Sequence, residues 1–323
     1  MTIYSKITGT GRYLPEQVVT NADLEKIVDT TDQWIQERTG IKQRHKAADG
    51  QYTSDLAYEA SLKALDAAGM SADELDMIIV GTTTPDLLFP STACLLQSKL
   101  GCVGNTAFDV NAACSGFIFA LSVADKFIKS GTHKKILVVG AETLTRIINW
   151  DDRTTAVLFG DGAGAAIIEA SEEPGILSTH IHANGDHADL LTTNKGASKG
   201  MDDSLTGPIG IIMQGNAVFK VAVKTLGSIV DETLAYNHME KSDIDWLVPH
   251  QANLRIITAT AKKLKMDMKQ VIVTVDKTGN TSAASVPMAL DVAIRSGKIK
   301  RGQTILLEAF GGGFTWGSAL IKY

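Results

Sequence analysis

The sequence contains little cysteine and no long hydrophobic run. Cysteine occurs three times in 323 residues, as Cys94, Cys102 and Cys114, and this spacing fits no metal-binding motif. The first segment, "MTIYSKITGTGRYLPE", lacks the basic and apolar regions of a secretory signal, so we expect free thiols in a reducing cytoplasm. No apolar stretch approaches the ~18 residues of a membrane span. Neither a disulfide-stabilised nor a membrane-spanning protein is therefore expected.

Basic residues are not in excess either. The 31 lysines and arginines are outnumbered by 36 aspartates and glutamates, and the net charge of -5 argues against nucleic acid as the main partner. The chain is 44% hydrophobic and 21% charged, which is typical of ordinary globular proteins. Its length predicts two domains at the usual ~150 residues each.

Helical and strand-like segments alternate along the chain, which predicts an α/β fold with parallel or mixed sheets. Buried strands are predicted at "DMIIVGTT", "KKILVVGAE", "GAAIIEAS", "WLVPH", "VIVTV" and "TILLEAFGGG". Thr30 and Gln33 match a helix capping box, and Gly40 and Gly69 stand where two helical patterns end. The stretch 184–208 is rich in Gly, Asp, Ser and Thr, which predicts a long irregular excursion.

The second half of the chain echoes the first. The polar link "SEEPG" divides the chain into residues 1–172 and 173–323. "NAACSGFIFALSVADKFIKSG" precedes a buried strand in the first half, as "NTSAASVPMALDVAIRSG" does in the second. The two halves can be aligned on Ala120 and Ala289, or on Ser130 and Ser296, which end the two helical patterns. The offsets from these two alignments differ by three residues. We interpret the echo as a duplicated α/β unit whose copies face each other, although alternating apolar patterns alone would produce part of it.

Cys114, in "VNAACSGF", stands where a nucleophile would be placed. It follows a strand-like run and precedes a helical pattern over 115–128, so its thiol lies at the start of a helix. The helix dipole favours an anion there by ~0.3–2 kcal/mol, which lowers a thiol pKa by about one unit. Stronger activation needs a partner such as histidine. A small buried cysteine is the alternative, and we accept it for Cys94 and Cys102.

Two further polar residues are predicted in turns of the same kind. His250 ends "DWLVPH" and precedes an amphipathic helix, so its ring can lie at the carboxyl end of a sheet, where α/β proteins bind ligands. Asn280, in "DKTGNTSAAS", lies between the predicted strand "VIVTV" and a helix. A structural histidine and a helix N-cap asparagine are the plainer interpretations. Cys114, His250 and Asn280 together favour a functional role, because all three would lie at one sheet edge if the strands run parallel.

Glycine is concentrated near the end of the chain, in "EAFGGGFTWG". Three successive glycines let backbone N–H groups approach a ligand, as in an oxyanion hole, where one lost donor costs about 3 to 4 kcal/mol. A tight hairpin turn is the alternative.

Two other patterns are set aside. "FGDGAGAAII" runs into a strand-like segment and lacks the helix that a dinucleotide fingerprint requires. A group of histidines and aspartates could form a metal cluster. Alternating side-chain positions on a strand that leads into a polar loop explain this group more simply, so no metal is expected. That cluster consists of His180, His182, Asp186, His187 and Asp189.

Four motifs together resemble one family. "DVNAACSGF", "VPHQANLRI", "DKTGNTSAAS" and "EAFGGGFTWGSALI" are similar to segments of the β-ketoacyl-acyl-carrier-protein synthase III enzymes of bacterial fatty-acid synthesis. The resemblance covers essentially the whole chain. It implies a thiolase-like fold, in which two pseudo-symmetric α/β halves form α-β-α-β-α layers, and a cytoplasmic homodimer.

The resemblance also implies a mechanism. Cys114 would take the acyl group of a short acyl-coenzyme A, with acetyl as the expected primer, and no cofactor is implied because this ester is a substrate. Malonyl-acyl-carrier protein would then lose carbon dioxide, and its enolate would attack the acyl-enzyme. His250 and Asn280 match the pair that stabilises the enolate. The N–H groups of Cys114 and Gly312 would hold the oxyanion. Elongating synthases carry Cys–His–His instead, and thiolases a second cysteine.

Binding residues follow from the same resemblance. Trp34 and Arg153 match the pair that sandwiches the adenine of coenzyme A, and Phe89 matches a residue that crosses the dimer to close the partner's acyl pocket. The remaining coenzyme A contacts would be Arg38, Gly215 and Asn253. A basic patch for the acidic carrier protein would consist of Lys220, Arg255, Lys262 and Lys263. A solvated helix face is the plainer interpretation of those four charges.

Three other functions stay open at this stage. A related Cys–His–Asn acyltransferase would use another acceptor, such as a β-keto acid or an alcohol. A cysteine hydrolase would use Cys114 and His250 through water, and an acyl-binding or thiol-sensing protein would not catalyse at all. Asn280 and the glycine run favour condensation over hydrolysis, because an enolate needs hydrogen-bond donors and not a general base. A sensor would not need all four motifs, so we expect condensation.

Overall fold

The computed structural model describes residues 3–202 and 207–323. The strands in these residues are β1 (Tyr4–Tyr13), β2 (Gln17–Thr20), β3 (Gln43–Lys46), β4 (Met77–Gly81), β5 (Thr106–Val110), β6 (Lys135–Glu142), β7 (Gly162–Ser171), β8 (Ile176–Ala183), β9 (Leu191–Thr193), β10 (Ile211–Met213), β11 (Trp246–Pro249), β12 (Thr304–Gly311) and β13 (Thr315–Lys322). The α-helices are α1 (Asn21–Leu24), α2 (Asp32–Thr39), α3 (Thr53–Ala68), α4 (Thr92–Leu100), α5 (Gly116–Lys129), α6 (Arg153–Ala156), α7 (Gly215–Asn237), α8 (Leu254–Leu264), α9 (Val275–Thr278) and α10 (Ser285–Arg295).

Two mixed sheets contain most of the strands, as the α/β pattern predicts. The first has the order β1-β7-β6-β4-β5, and the second has the order β11-β12-β13-β8. β4 runs parallel to β5 and β6, and β11 runs parallel to β12, whereas the other neighbours are antiparallel. The predicted boundary after residue 172 falls in the link between the two sheets and stays a prediction.

The helices complete five layers in the order α-β-α-β-α. Helices α5 and α10 pack between the two sheets, α3 and α4 cover the outer face of the first sheet, and α7 and α8 cover the second. The strands are buried on both faces, which explains their continuous hydrophobic runs. In β6, for example, Val138 packs against the central helices while Val139 packs against α3. The layers agree with the thiolase-like fold that the resemblance implied.

The structure also resolves the register of the internal echo. β4 and β11, α5 and α10, and β6 and β12 all start 169 residues apart, as 77 to 246, 116 to 285 and 135 to 304. Helix α10 has 11 residues and α5 has 14, so their C-cap residues, Ser130 and Ser296, lie only 166 residues apart. Both offsets found in the sequence are therefore correct, because the difference of three lies in the helix lengths.

The strand predicted at "VIVTV" is wrong. Only Val271 makes an isolated bridge to β11, and helix α9 begins at Val275. The N–H groups of Thr274 and Val275 donate to the Gln251 side-chain oxygen, at 2.8 and 3.2 Å. A side chain thus accepts the hydrogen bonds that a neighbouring strand would have accepted.

Three smaller predictions have mixed outcomes. The N-cap of α2 is Thr31 and not Thr30, because the Thr31 hydroxyl accepts from Trp34 N at 3.1 Å. Gly40 and Gly69 end their helices as predicted, with φ of 76° and 64°. The stretch 184–208 is only partly irregular, since β9 lies within it and pairs with β10. Residues 203–206 of that stretch lie outside the described residues.

Candidate active site

Cys114 lies in the short 3₁₀ helix Ala113–Ser115, which joins β5 to α5. Ala113 has a φ of 46°, in the left-handed region that residues other than glycine rarely adopt. Asn111 supports this turn, because its Oδ1 accepts from Ala113 N at 3.4 Å. A Cβ on Gly311 would lie 2.5 Å from Cys114 N, so only glycine lets β12 approach this closely. The sulfur is thereby fixed between the start of α5 and the second sheet.

Burial determines the protonation state of Cys114. Its side chain is 8% exposed, and burial raises the thiol pKa to about 12. A hydrogen bond from the Ser282 side chain lowers the pKa, and the charge of Glu142 raises it further. The prediction of a lowered thiol pKa is therefore wrong for the unliganded protein, because lost hydration outweighs a dipole effect of ~0.3–2 kcal/mol. The thiol must lose its proton as it attacks.

His250 is a buried histidine with a neutral ring. It follows β11 and is buried, and burial lowers its pKa to about 3. Its Nδ1 lies 2.6 Å from Ser285 Oγ, which also accepts from Gln251 N at 3.2 Å. One hydroxyl thus contacts both the imidazole and the backbone beside it, and it holds the ring in place with Nε2 free of this contact.

Asn280 is placed differently from its prediction. Helix α9 and Gly279 precede it, and not a strand. Its Oδ1 accepts from Ser282 N at 2.9 Å, so the amide has its Nδ2 hydrogens left for the cavity. Because Cys114 follows a strand of the first sheet and His250 follows a strand of the second, the site lies between the two sheets. The expectation of a single sheet edge is wrong.

One cavity of about 360 Å³ joins these residues to much of the predicted binding set. Cys114, His250 and Asn280 line its buried part. Its outer part is lined by Trp34, Arg38, Gly215, Asn253 and Arg255. Cys114 also lines a second cavity, of about 400 Å³, together with Thr83, Ser282 and Gly312, among others. The cysteine is therefore accessible from two adjoining cavities.

Trp34 stands between two arginines at the outer end of the channel. The guanidinium of Arg153 lies 4.9 Å from the Trp34 ring centroid, and that of Arg38 lies 5.7 Å away. Arg153 is also held by a hydrogen bond to Asp29 O, at 3.0 Å. A base inserted between Trp34 and Arg153 would have to separate them. Asn253 caps α8 and donates to Arg38 O at 3.1 Å, which ties two predicted contacts together.

The predicted basic patch and Phe89 lie on the surface. The four basic residues, Lys220, Arg255, Lys262 and Lys263, are exposed on the paired helices α7 and α8. Lys220 also lines a separate cavity of about 380 Å³ with His187 and Lys224. Phe89 is 84% exposed and lines neither cavity at Cys114.

The structure shows what the possible metal cluster and the glycine run form. His180 and His182 hydrogen-bond to Glu232, at 3.2 and 3.0 Å, and no group of three or more His, Cys, Asp or Glu in residues 3–202 and 207–323 is placed to hold a metal ion. Gly312 and Gly313 form the turn from β12 to β13, so the glycine run is a hairpin turn that also lines the site. Across those same ranges no helix is long and apolar enough to cross a membrane.

Sequence reasoning missed three polar residues that complete the site. Ser282 and Ser285 lie within "GNTSAAS", but only the asparagine of that motif was considered. Glu142 ends the apolar run "KKILVVGAE" and is fully buried beside Thr83 and Thr84. An acid at the end of a hydrophobic strand was the available signal, because buried carboxylates are rare without a specific role.

The fold, with a cysteine, a histidine and an asparagine around one cavity, defines a thiolase-like condensing acyltransferase. The family described as 3-oxoacyl-[acyl-carrier-protein (ACP)] synthase III matches residues 108–185, and its C-terminal part matches residues 234–323. β-Ketoacyl-[acyl-carrier-protein] synthase III of Xanthomonas campestris pv. campestris is 66% identical over 321 residues, 99% of each chain, and that of Xylella fastidiosa (strain Temecula1) is 64% identical over the same length and shares. The crystal structure of 3-oxoacyl-[acyl-carrier-protein] synthase III from Aquifex aeolicus has a TM-score of 0.93 at 48% identity and covers 99% of this chain and 100% of its own. The chain belongs to the β-ketoacyl-acyl-carrier-protein synthase III family, whose members are initiating condensing enzymes of fatty-acid synthesis.

Proposed function

We propose that the protein condenses a short acyl-coenzyme A, with acetyl as primer, with malonyl-acyl-carrier protein to give a 3-oxoacyl-acyl-carrier protein. The observation that supports this most is the shared cavity, because Cys114, His250 and Asn280 line it together. Carbon dioxide and free coenzyme A are the other products. The acyl group passes through a thioester on Cys114.

Acyl transfer uses the first half of the site. Cys114 Sγ attacks the thioester carbon and loses its proton, the bond from that carbon to the coenzyme A sulfur breaks, and the departing sulfur takes up a proton. The backbone N–H groups of Cys114 and Gly312 stabilise the intermediate oxyanion. The close approach of Gly311 to Cys114 N supports this role, since it brings the glycine run next to the nucleophile.

Condensation uses the second half of the site. The malonyl group loses carbon dioxide, and the enolate oxygen accepts hydrogen bonds from His250 Nε2 and Asn280 Nδ2. The enolate carbon then attacks the acyl carbonyl, and the Cys114 thiolate leaves. A neutral His250 fits this role, because an imidazole with its hydrogen on Nε2 can donate that hydrogen to the enolate oxygen.

Binding follows the predicted surfaces. Trp34, Arg38, Arg153, Gly215 and Asn253 hold coenzyme A, and the exposed basic patch of Lys220, Arg255, Lys262 and Lys263 docks the acidic carrier protein. The enzyme works in the cytoplasm without a resident cofactor.

A homodimer is part of the proposal. Strand β5 is an edge strand, and the nearby side chains of Leu87, Leu88 and Phe89 are 52%, 72% and 84% exposed. An open sheet edge beside such an apolar surface favours pairing with a second copy. Phe89 would then reach the partner's acyl chamber.

Intact-protein mass spectrometry tests the proposal. The protein is mixed with a panel of acyl-coenzyme A esters, beside Cys114→Ser and the matched control Cys94→Ser. We expect one acyl adduct on the wild type and on the control, no adduct on Cys114→Ser, and discharge by malonyl-acyl-carrier protein into a β-ketoacyl product. A wild type that takes no acyl group from any ester would overturn the proposal, as would release of the free acid without malonyl-acyl-carrier protein.

A further inference from the structure

The long helix α7 has a glycine in its interior. Gly227 lies in the middle of this 23-residue helix and is buried. Glycine is less favourable than alanine inside a helix, because it loses more backbone freedom on folding. The φ of Gly227 is not in the left-handed region, so the backbone itself does not require glycine at this position. A neighbouring group therefore accounts for the glycine.

The side chain of Lys263 occupies the space next to Gly227. A Cβ on Gly227 would overlap Cδ, Cε and Nζ of this lysine, which lies near the end of α8. The lysine stem therefore crosses α7 at this glycine, and its ammonium donates to Lys224 O at 3.4 Å. A lysine stem can cover apolar surface in this way while the charged end stays in water. Without a side chain at 227, Lys263 lies flat on α7.

Three amines thus share one face of α7. Lys220, Lys224 and Gly227 are spaced by four and three residues, which places them on the same side of the helix. Lys220 and Lys224 also line the same cavity of about 380 Å³. With the Lys263 ammonium beside Gly227, the row covers residues 220–227, or about 10 Å along the helix axis.

This row of lysines has no acidic counterpart in the part of the chain that the structure describes. None of the three makes an ion pair there, and no carboxylate of that part lines the cavity beside Lys220 and Lys224. The next acid on this face of α7 is Asp231, which already pairs with Lys241 Nζ at 3.2 Å. The protein has a net charge of -5, so a local row of unpaired amines favours an anionic partner from outside.

We propose that Gly227 is a positioning residue for docking of the carrier protein, and that Lys224 is a further contact on this docking surface. The inference rests on the proposed function, which assigns Lys220 and Lys263 to the acidic carrier. Gly227 keeps the Lys263 ammonium on α7, in line with the other two amines. The acidic side chains of the carrier then meet three positive charges in one row.

Steady-state kinetics with malonyl-acyl-carrier protein test the inference on the whole protein. The KM for this substrate is measured at low salt and at high salt for the wild type, Gly227→Ala, Lys224→Ala and Lys263→Ala. Gly227→Ala changes no charge and introduces a better helix former, so it should fold while its methyl group displaces the end of the Lys263 side chain.

We expect the effects of single exposed ion pairs at low salt. Lys224→Ala and Lys263→Ala should each raise the KM about two- to fivefold, and Gly227→Ala about two- to threefold. These differences from the wild type should disappear at about 1 M salt, where charges are screened beyond ~3 Å.

The double variant Gly227→Ala/Lys263→Ala separates positioning from packing. If Gly227 acts through the lysine, its replacement should cause no further rise in KM once Lys263 is removed. Ser228→Ala is the matched control, because it changes the exposed neighbouring residue of the same helix and should retain the wild-type KM. Acetyl uptake from acetyl-coenzyme A, which does not involve the carrier, is followed in parallel.

Three results would overturn the inference while leaving the proposed function intact. They are a wild-type KM in Gly227→Ala or Lys224→Ala at low salt, an equal effect of Gly227→Ala with and without Lys263, and a loss of acetyl uptake that parallels the rise in KM. Failure of the acylated wild type to react with malonyl-acyl-carrier protein would overturn the proposed function itself, and this inference with it.

Discussion

The turns at 111–115 and 280–284 have the same backbone and different chemistry. In each turn an asparagine Oδ1 accepts from the N–H two residues on, at 3.4 and 2.9 Å, and that residue has a φ of 46°. A 3₁₀ helix and a central helix follow in both. Cys114 in the first turn corresponds to Ala283 in the second. The duplicated fold thus supplies two turns with the same backbone geometry, the first platform (111–115) and the second platform (280–284). Only the first platform carries a cysteine.

Each platform is braced by the opposite half of the chain. A Cβ on Gly311 of β12 would lie 2.5 Å from Cys114 N, and a Cβ on Gly140 of β6 would lie 2.2 Å from Ala283 O. The halves are therefore in backbone contact at both turns. This contact brings the cysteine of one half within the cavity formed by the histidine and asparagine of the other.

Moving the thiol to the second turn should have the largest effect. In Cys114→Ala/Ala283→Cys the new thiol would be fully buried against β6, away from the channel. We expect no acyl adduct by intact mass and a loss of turnover of at least about 10³-fold, as in Cys114→Ala alone. An acylated double variant would show that the second platform can also act on a thioester.

The second largest effect is expected from the two turn asparagines, Asn280 and Asn111, whose replacement should slow condensation to different extents. Asn280→Ala removes a proposed donor to the enolate, so we expect condensation to fall by about 10²–10³-fold. Asn111→Ala removes the matching turn hydrogen bond in the first half and should cost less than about tenfold. The measurement is product formation from the pre-acylated enzyme after addition of malonyl-acyl-carrier protein. Equal losses in the two variants would mean that both asparagines serve only their turns.

Glu308 of β12 corresponds to Val139 of β6, and this difference should be visible in stability. Burial raises the Glu308 pKa to about 8 from 4.5, and neither of its oxygens has a hydrogen-bond partner among the described residues. The folded state therefore binds the proton more tightly, so the stability present below pH 4.5 is lost as the pH rises to 8.

Glu308→Gln should remove this loss. We expect its free energy of unfolding to exceed that of the wild type by about 2 to 4 kcal/mol at pH 8, and to differ little at pH 4.5. Denaturant unfolding at both pH values measures the effect. If the free energies of unfolding of the variant and the wild type differ by the same amount at pH 4.5 and at pH 8, a raised Glu308 pKa is contradicted.

The bracing glycines should have the smallest effects. Gly140→Ala places a methyl group against Ala283 O, and we expect it to destabilise the fold by about 1 to 3 kcal/mol. Gly185→Ala has nothing within 4 Å of the added carbon and should change stability by less than about 0.5 kcal/mol. Thermal unfolding compares the two. A Gly140→Ala variant as stable as its control would mean that the halves can separate at this contact without loss.

Much of the fold could be predicted from the sequence, because strands buried on both faces show as unbroken apolar runs. β4, β6, β7, β11 and β12 were found in this way. The strand at 271–275 was wrong because a distant glutamine side chain accepts its hydrogen bonds. The motifs predicted that Cys114, His250 and Asn280 belong together, and the structure places them around one cavity.

The rest of the site depends on contacts between residues far apart in sequence. The thiol pKa follows from burial, which no local pattern reveals. The contact of β6 with the second turn joins Gly140 and Ala283, which lie 143 residues apart in the sequence. Such pairs become visible only when the two halves are assembled.

The measurement that tests the division of labour most directly is intact mass of His250→Ala, first with acetyl-coenzyme A and then with malonyl-acyl-carrier protein. Cys114 lies on the first platform, so the variant should take up the acetyl group nearly as the wild type does. Without the histidine N–H the enolate loses a donor, so the acetyl adduct should persist after malonyl-acyl-carrier protein is added. A variant that never acquires the adduct, or that discharges it at the wild-type rate, would contradict the assignment of the two steps to the two halves.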